Sequence, residues 1–145
     1  MARSGAPLNV TQATNTAGSD NLGNQRPDRV LGVSPYLPNP TPDLWLNPAA
    51  FVPAPRGRAG NSSRNLIAGL DFVQLDGSAI KDTRISERVN LQFRAEFFNF
   101  PNRPNFAAPN TAAGTPNYGR IFNTFGRTFG AGTSRQIQFG LRLGW

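Results

Sequence analysis

The 145-residue sequence predicts an all-β chain of antiparallel strands separated by long irregular loops, and three observations carry that expectation. Two stretches, from Val89 and from Gln136, alternate apolar and polar side chains, the two-residue period of a strand with unlike faces. The 13 Pro and 15 Gly leave few segments in which a helix could run. No window approaches the roughly 18 consecutive apolar residues of a transmembrane helix.

In chain order, residues 11–68 read as a loop, because Pro27, Pro35, Pro38, Pro40, Pro42, Pro48, Pro53 and Pro55 interrupt both helix interiors and central strands. A short helical turn is expected at most near Pro42 to Leu46. Tyr36, Leu37, Leu44, Trp45, Leu46, Phe51 and Val52 are too many apolar anchors for a disordered linker, so this loop should pack on itself or on a neighbouring surface. Residues 69–84 read as a strand, with Val73, Leu75, Gly77 and Ala79 alternating against Gln74, Asp76 and Ser78. Residues 85–88 form a short polar turn.

The next strand, 89–100, places Val89, Leu91, Phe93, Ala95 and Phe97 on one face and Asn90, Gln92, Arg94 and Glu96 on the other. Residues 101–134 carry five further Gly and four Pro and read as a second long loop. The terminal strand, 135–145, sets Ile137, Phe139, Leu141, Leu143 and Trp145 against Gln136, Gln138, Gly140, Arg142 and Gly144.

Such strands suit the half-buried sheet of a soluble protein as well as a membrane, so the surroundings must decide. Nothing in the sequence reads as an amphipathic helix or a second strand set able to cover the apolar stripe. Ten residues rising about 3.3 Å each and tilted roughly 40° span about 25 Å, the apolar band of an outer-membrane barrel. The connections also alternate between very short and very long, as in such barrels. Phe97, Phe98, Phe100 and Trp145 lie at strand ends, where aromatic girdles belong. The expectation is the C-terminal end of a transmembrane β-barrel, incomplete as given. Val89, Leu91, Phe93, Ala95 and Phe97, with Ile137, Phe139, Leu141, Leu143 and Trp145, would face lipid. Asn90, Gln92, Arg94, Glu96, Gln138 and Arg142 would face a watery lumen. The start, Met1 to Pro7, has no apolar signal-peptide core, so a barrel implies chain upstream.

The run Arg84-Ile85-Ser86-Glu87-Arg88-Val89-Asn90-Leu91-Gln92-Phe93-Arg94-Ala95-Glu96-Phe97-Phe98-Asn99-Phe100-Pro101-Asn102-Arg103-Pro104-Asn105-Phe106, followed by Arg135 to Leu143, resembles the C-terminal end of Oar-like TonB-dependent outer-membrane receptors of the acidobacterial, carboxypeptidase-regulatory-like type. Ser4 to Val10, Asn24 to Asp28, Tyr36 to Pro40, Trp45 to Phe51 and Gly60 to Asn65 are similar to the preceding loop of that family. Phe100-Pro101 departs from the family's usual Leu-Phe pair, and Gly77 and Ala79 stand where larger lipid-facing residues are usual.

The resemblance implies a partial upward strand at 1–10, cell-surface loops at 11–68 and 101–134, and a periplasmic turn at 85–88. It implies partners as well: outer-membrane lipid, the remaining barrel strands and plug, the barrel-assembly machinery, and TonB through upstream chain. The terminal strand is similar to the assembly signal read by that machinery, which Ile137, Phe139, Leu141, Leu143 and Trp145 would carry.

Other chemistry finds little support. With no His and no Cys, the commonest general base and thiolate ligands are absent, so no enzyme, cofactor or metal is expected. The formal charge of +7 is scattered along the chain rather than drawn into a phosphate-tracking stripe, so no nucleic-acid partner is expected. Gly126 to Thr133 resembles a phosphate loop without its Gly-Lys-Ser/Thr ending. Asp71, Asp76, Asp82, Glu87 and Glu96 form no distinctive carboxylate pair. A small secreted β-rich binding module and an Arg-rich nucleic-acid binder remain the two rival readings.

Overall fold

The computed structural model describes residues 1–18, 25–126 and 133–145. It is all-β, and its strands fall into two compact units. No helix is long and apolar enough to cross a membrane, a test that strands escape.

The first unit comprises Met1–Arg3, Phe72–Asn105 and Thr124–Trp145. Alternation over β10 (Gly77–Arg84), β11 (Asn90–Phe98) and β13 (Gln136–Gly144) yields a three-stranded antiparallel sheet with β11 in the centre. Each strand presents a continuous row of backbone donors and acceptors because no proline falls within it. Two short strands, β1 (Ala2–Arg3) and β9 (Phe72–Val73), pair antiparallel beside them in sequence. Among the described residues the sheet does not close into a barrel.

Three boundaries differ from expectation. The strand expected over 69–84 is interrupted at 74–76. There Asp76 turns its carboxylate to the Asn99 N–H at 2.9 Å, and the Leu75 carbonyl accepts from Phe100 N–H at 2.8 Å, one residue out of step with the β10–β11 register. Val89 lies just outside β11, because its carbonyl closes the turn by accepting from the Ile85 and Ser86 N–H groups. At the other end β11 stops at Phe98 rather than at residue 100, where Asn99 adopts φ +48° and its amide binds the carbonyls of Arg103 and Thr133. An Asn tolerates that left-handed geometry better than a β-branched residue would.

The second unit, Ser4–Asp71 with Phe106–Asn123, is where most of the first long loop folds on itself. It is built from short ladders: β2 (Pro7–Leu8) with β8 (Ile67–Ala68), β4 (Asp28–Arg29) with β7 (Phe51–Val52), and β5 (Tyr36–Thr41) with β6 (Leu44–Leu46). A parallel pair joins β3 (Thr11–Gln12) to β12 (Ala112–Ala113). The segment expected as one partial strand over 1–10 is thus two short strands, β1 and β2, each antiparallel to the chain around residues 67–73.

The helical turn expected near Pro42 to Leu46 is a hairpin instead. A two-stranded ribbon tolerates Pro38 and Pro40 because its register is irregular between Tyr36 and Thr41. The 3-10 turn falls later, at Pro48–Ala50, where proline occupies the first turn and the Asn47 side chain caps the Ala49 N–H at 3.0 Å.

The core of this unit is Val10, Leu46, Ala50, Phe51, Ile67, Ala113 and Tyr118, with Phe51 and Tyr118 edge-on at 6.2 Å. Of the expected anchors, Leu46 and Phe51 are buried and Trp45 packs partly against them, while Tyr36, Leu44 and Val52 stay exposed. Tyr36 still ties the hairpin down, its hydroxyl oxygen accepting from Ala68 N–H at 2.7 Å. Buried Gln12 donates to the Thr14 carbonyl and the Thr16 hydroxyl and accepts from Ala54 N–H, which satisfies a polar side chain inside the loop unit.

Candidate membrane-facing surface

Residues directly opposite in a ladder share a face, so the register assembles two surfaces from the sheet. One carries the rows Thr83–Leu91–Leu143, Lys81–Phe93–Leu141, Ala79–Ala95–Phe139 and Gly77–Phe97–Ile137. The other carries Arg84–Asn90–Gly144, Asp82–Gln92–Arg142, Ile80–Arg94–Gly140 and Ser78–Glu96–Gln138. The structure therefore brings together eight of the ten expected apolar residues on one side and all six expected lumen residues on the other, while Val89 and Trp145 lie just beyond the ends of β11 and β13. A slip of one residue would exchange the faces, so nine matched pairs between β11 and β13 define the surface strictly.

On the apolar side Phe93 and Phe139 stack at 6.0 Å, while Ala95, with its short methyl, is nearly covered by its larger neighbours. Phe139 is 66% exposed, Leu141 72% and Trp145 93%, and nothing among the described residues covers them. Water would forfeit about 1.5–3 kcal/mol for each large apolar side chain left uncovered, so this face calls for an apolar solvent. On the opposite face two pairs of polar side chains bind one another. The Gln92 amide donates to Asp82 at 2.8 Å, and Arg94 forms an ion pair with Glu96.

The aromatic girdle is only partly as expected. Phe97 and Phe100 meet edge-on at 6.0 Å, but Phe98 lies opposite Gln136 and therefore joins the polar side. Two residues escaped the sequence reading of this sheet. Lys81 sits on the apolar face and Ile80 on the polar one, and continuing the alternation of Gly77 and Ala79 by two residues would have flagged both.

The acids hold structure rather than one another. Asp71 accepts from Gly5 N–H at 3.0 Å, Asp76 from Asn99, and Asp28 from Arg58 and the Asn61 N–H. Among the described residues no three His, Cys, Asp or Glu side chains converge on a metal-sized site. Of the phosphate-loop-like run, residues 127–132 lie outside the described residues.

Alternating antiparallel strands with one uncovered apolar face and one polar face are the architecture of transmembrane β-strands. The chain belongs to the outer membrane beta barrel domain family, whose family model matches residues 1–138. Its place is the outer membrane of a Gram-negative bacterium, as a segment of a barrel. No curated protein and no solved structure matches it.

Proposed function

We propose that this segment belongs to the barrel of an Oar-like TonB-dependent receptor, which binds or imports a ligand at the outer membrane, and that β13 is its closing strand and assembly signal. The observation that carries the second half is β13 itself. It pairs with β11 along all nine of its residues, leaves its other backbone edge unpaired among the described residues, and presents Ile137, Phe139, Leu141 and Leu143 on one side. An open edge with alternate apolar side chains is a template for strand addition, first by the assembly machinery and then by the strand that completes the barrel. The resemblance of residues 84–106 to Oar-like receptors supports the first half.

In this reading residues 11–68 and 101–134 lie at the cell surface and residues 85–88 in the periplasm. Lipid covers the apolar face, a plug and the other strands complete the protein, and TonB acts through upstream chain. The segment binds and positions, and it carries out no catalytic step.

The test is made on the whole barrel. Trp145→Ala combined with Phe139→Ala should reduce the heat-modifiable, membrane-inserted form severalfold, and ligand uptake should disappear in cells lacking TonB. Undiminished assembly would remove the role given to β13, and uptake that persists without TonB would remove the receptor class.

A further inference from the structure

Lys81 is the only lysine of the chain, and the register sets it on the apolar face, opposite Phe93 and in one row with Leu141. Every other charged side chain of the three strands, Asp82, Arg84, Arg94, Glu96 and Arg142, falls on the polar face. Its companions on β10 are Ala79 and Thr83, and no acid shares its side of the sheet. Among the described residues Lys81 has no ion-pair partner. Among the described residues the sheet thus offers an unneutralised cation to the surroundings that its apolar face is built for, where lipid penalises an unpaired ammonium.

Depth makes the arrangement tenable. Lys81 lies one row above Leu143 and two above the terminal Trp145, on the order of 10 Å along the membrane normal from the tryptophan's level. A four-carbon stem bridges much of such a gap by snorkelling, its methylenes against Phe93 and its head among the headgroups. Small Ala79 and Thr83 beside it leave the stem room to lie along the strand.

We propose that Lys81 is a recognition site for the phosphate of an anionic glycerophospholipid in the periplasmic leaflet. The choice of leaflet rests on the reading of the turn at residues 85–88 as periplasmic, since β10 enters that turn directly after Arg84. Charge complementarity favours an anionic headgroup over a zwitterionic one, whose own ammonium would repel the lysine.

The test uses the complete barrel that contains this chain, in phosphatidylcholine vesicles with a minor fraction of phosphatidylglycerol. Spin-labelled phosphatidylglycerol should be enriched at the protein boundary about fivefold over spin-labelled phosphatidylcholine at one site, as one lysine near the surface supplies. Lys81→Met should abolish that enrichment, Lys81→Arg should keep it, and Arg84→Gln on the polar face should leave it unchanged. Enrichment that survives in Lys81→Met overturns the site. A second arm examines the leaflet: the chain has no cysteine, so Glu87→Cys gives it a single thiol probe. Protection of that thiol from an impermeant maleimide on intact cells is the expected result. Labelling from outside overturns the periplasmic reading, and with it the phospholipid source, whatever Lys81 does.

Discussion

The carboxamide of Asn105 holds both backbone groups of Val73: its Nδ2 donates to the Val73 carbonyl at 2.9 Å, and its Oδ1 accepts the Val73 N–H at 2.9 Å. One side chain thus behaves as a one-residue strand along β9. Asn105 is 1% exposed, so its loss would strand two polar backbone groups away from water.

Asn105→Ala should therefore cost about 1–3 kcal/mol for each orphaned group that stays dry. Asn105→Asp keeps the acceptor and should lose less at the Val73 N–H than at its carbonyl. Amide hydrogen exchange at Val73 reads the difference directly, and unchanged protection in the Ala variant would refute the pairing.

Gly119 and Gly114 both have positive φ, at +77° and +83°, yet only Gly119 is hemmed in. A Cβ there would stand 2.9 Å from the Leu46 backbone nitrogen, whereas one at Gly114 would meet open space. Gly119→Ala should destabilise the loop unit clearly more than Gly114→Ala, which bears only the conformational cost. Denaturant midpoints of the two variants measure this, and equal midpoints would contradict it.

The Arg58 guanidinium hydrogen-bonded to Asp28, with help from the Asn61 N–H, holds the Asp28 carboxyl below its ordinary value of 3.8. A carboxylate depressed by folding contributes stability that is complete above the unfolded pKa and fades as pH falls through the folded one. The contact should be intact at neutral pH and weaken only below about pH 3.8. Asp28→Asn should lower stability modestly at pH 7, where the carboxylate contributes in full, and should flatten acid unfolding in that window, so that the two proteins converge as pH falls. A loss centred above pH 5 would point to other groups.

Burial pushes the Tyr118 phenol well above its ordinary value, because the ionised ring would have to sit among Leu46, Phe51 and Ile67. A raised folded pKa means stability is retained below the unfolded value and lost as pH climbs past it. The loop unit should thus begin to weaken above about pH 10. The Tyr118 hydroxyl has no hydrogen-bond partner among the described residues, so Tyr118→Phe should change neutral-pH stability little and should remove its share of the alkaline loss. Tyr118→Ala should cost about 3–5 kcal/mol, as other large aromatic truncations do.

The two sheet faces give the sharpest contrast. Phe139→Arg places a guanidinium in lipid and should cost about 2–4 kcal/mol if it sits near the midplane. Gln138→Arg, one residue away, points to the polar side and should cost little. Folding titrations into vesicles compare the two, and equal penalties would mean the face assignment is wrong.

How much of this was readable beforehand differs from element to element. β11 and β13 were legible because alternation is written into neighbouring residues, and their register then follows from matching apolar to apolar. β10 was less so: Gly77 and Ala79 are small, Lys81 and Thr83 share their side, and Ile80 lies opposite, so its hydrophobic contrast is weak. The hairpin Tyr36–Leu46 was hidden behind its prolines, which rule out a central strand but not an irregular two-stranded ribbon. The interruption at 74–76 could not be foreseen, since it depends on Asp76 meeting the Asn99 N–H, a contact between residues far apart in the chain.

Alternation along a strand is a covalent fact, because successive side chains must leave the backbone on opposite sides. The apolar and polar faces, and through them the membrane setting, were for that reason present in the primary structure. Long-range partners have no such local signature. The closure of Val73 by Asn105, the parallel pairing of Thr11–Gln12 with Ala112–Ala113 and the close fit of Gly119 against Leu46 all come from which distant segments meet. That choice is made by packing and by the need to satisfy buried backbone groups once the chain has folded back on itself.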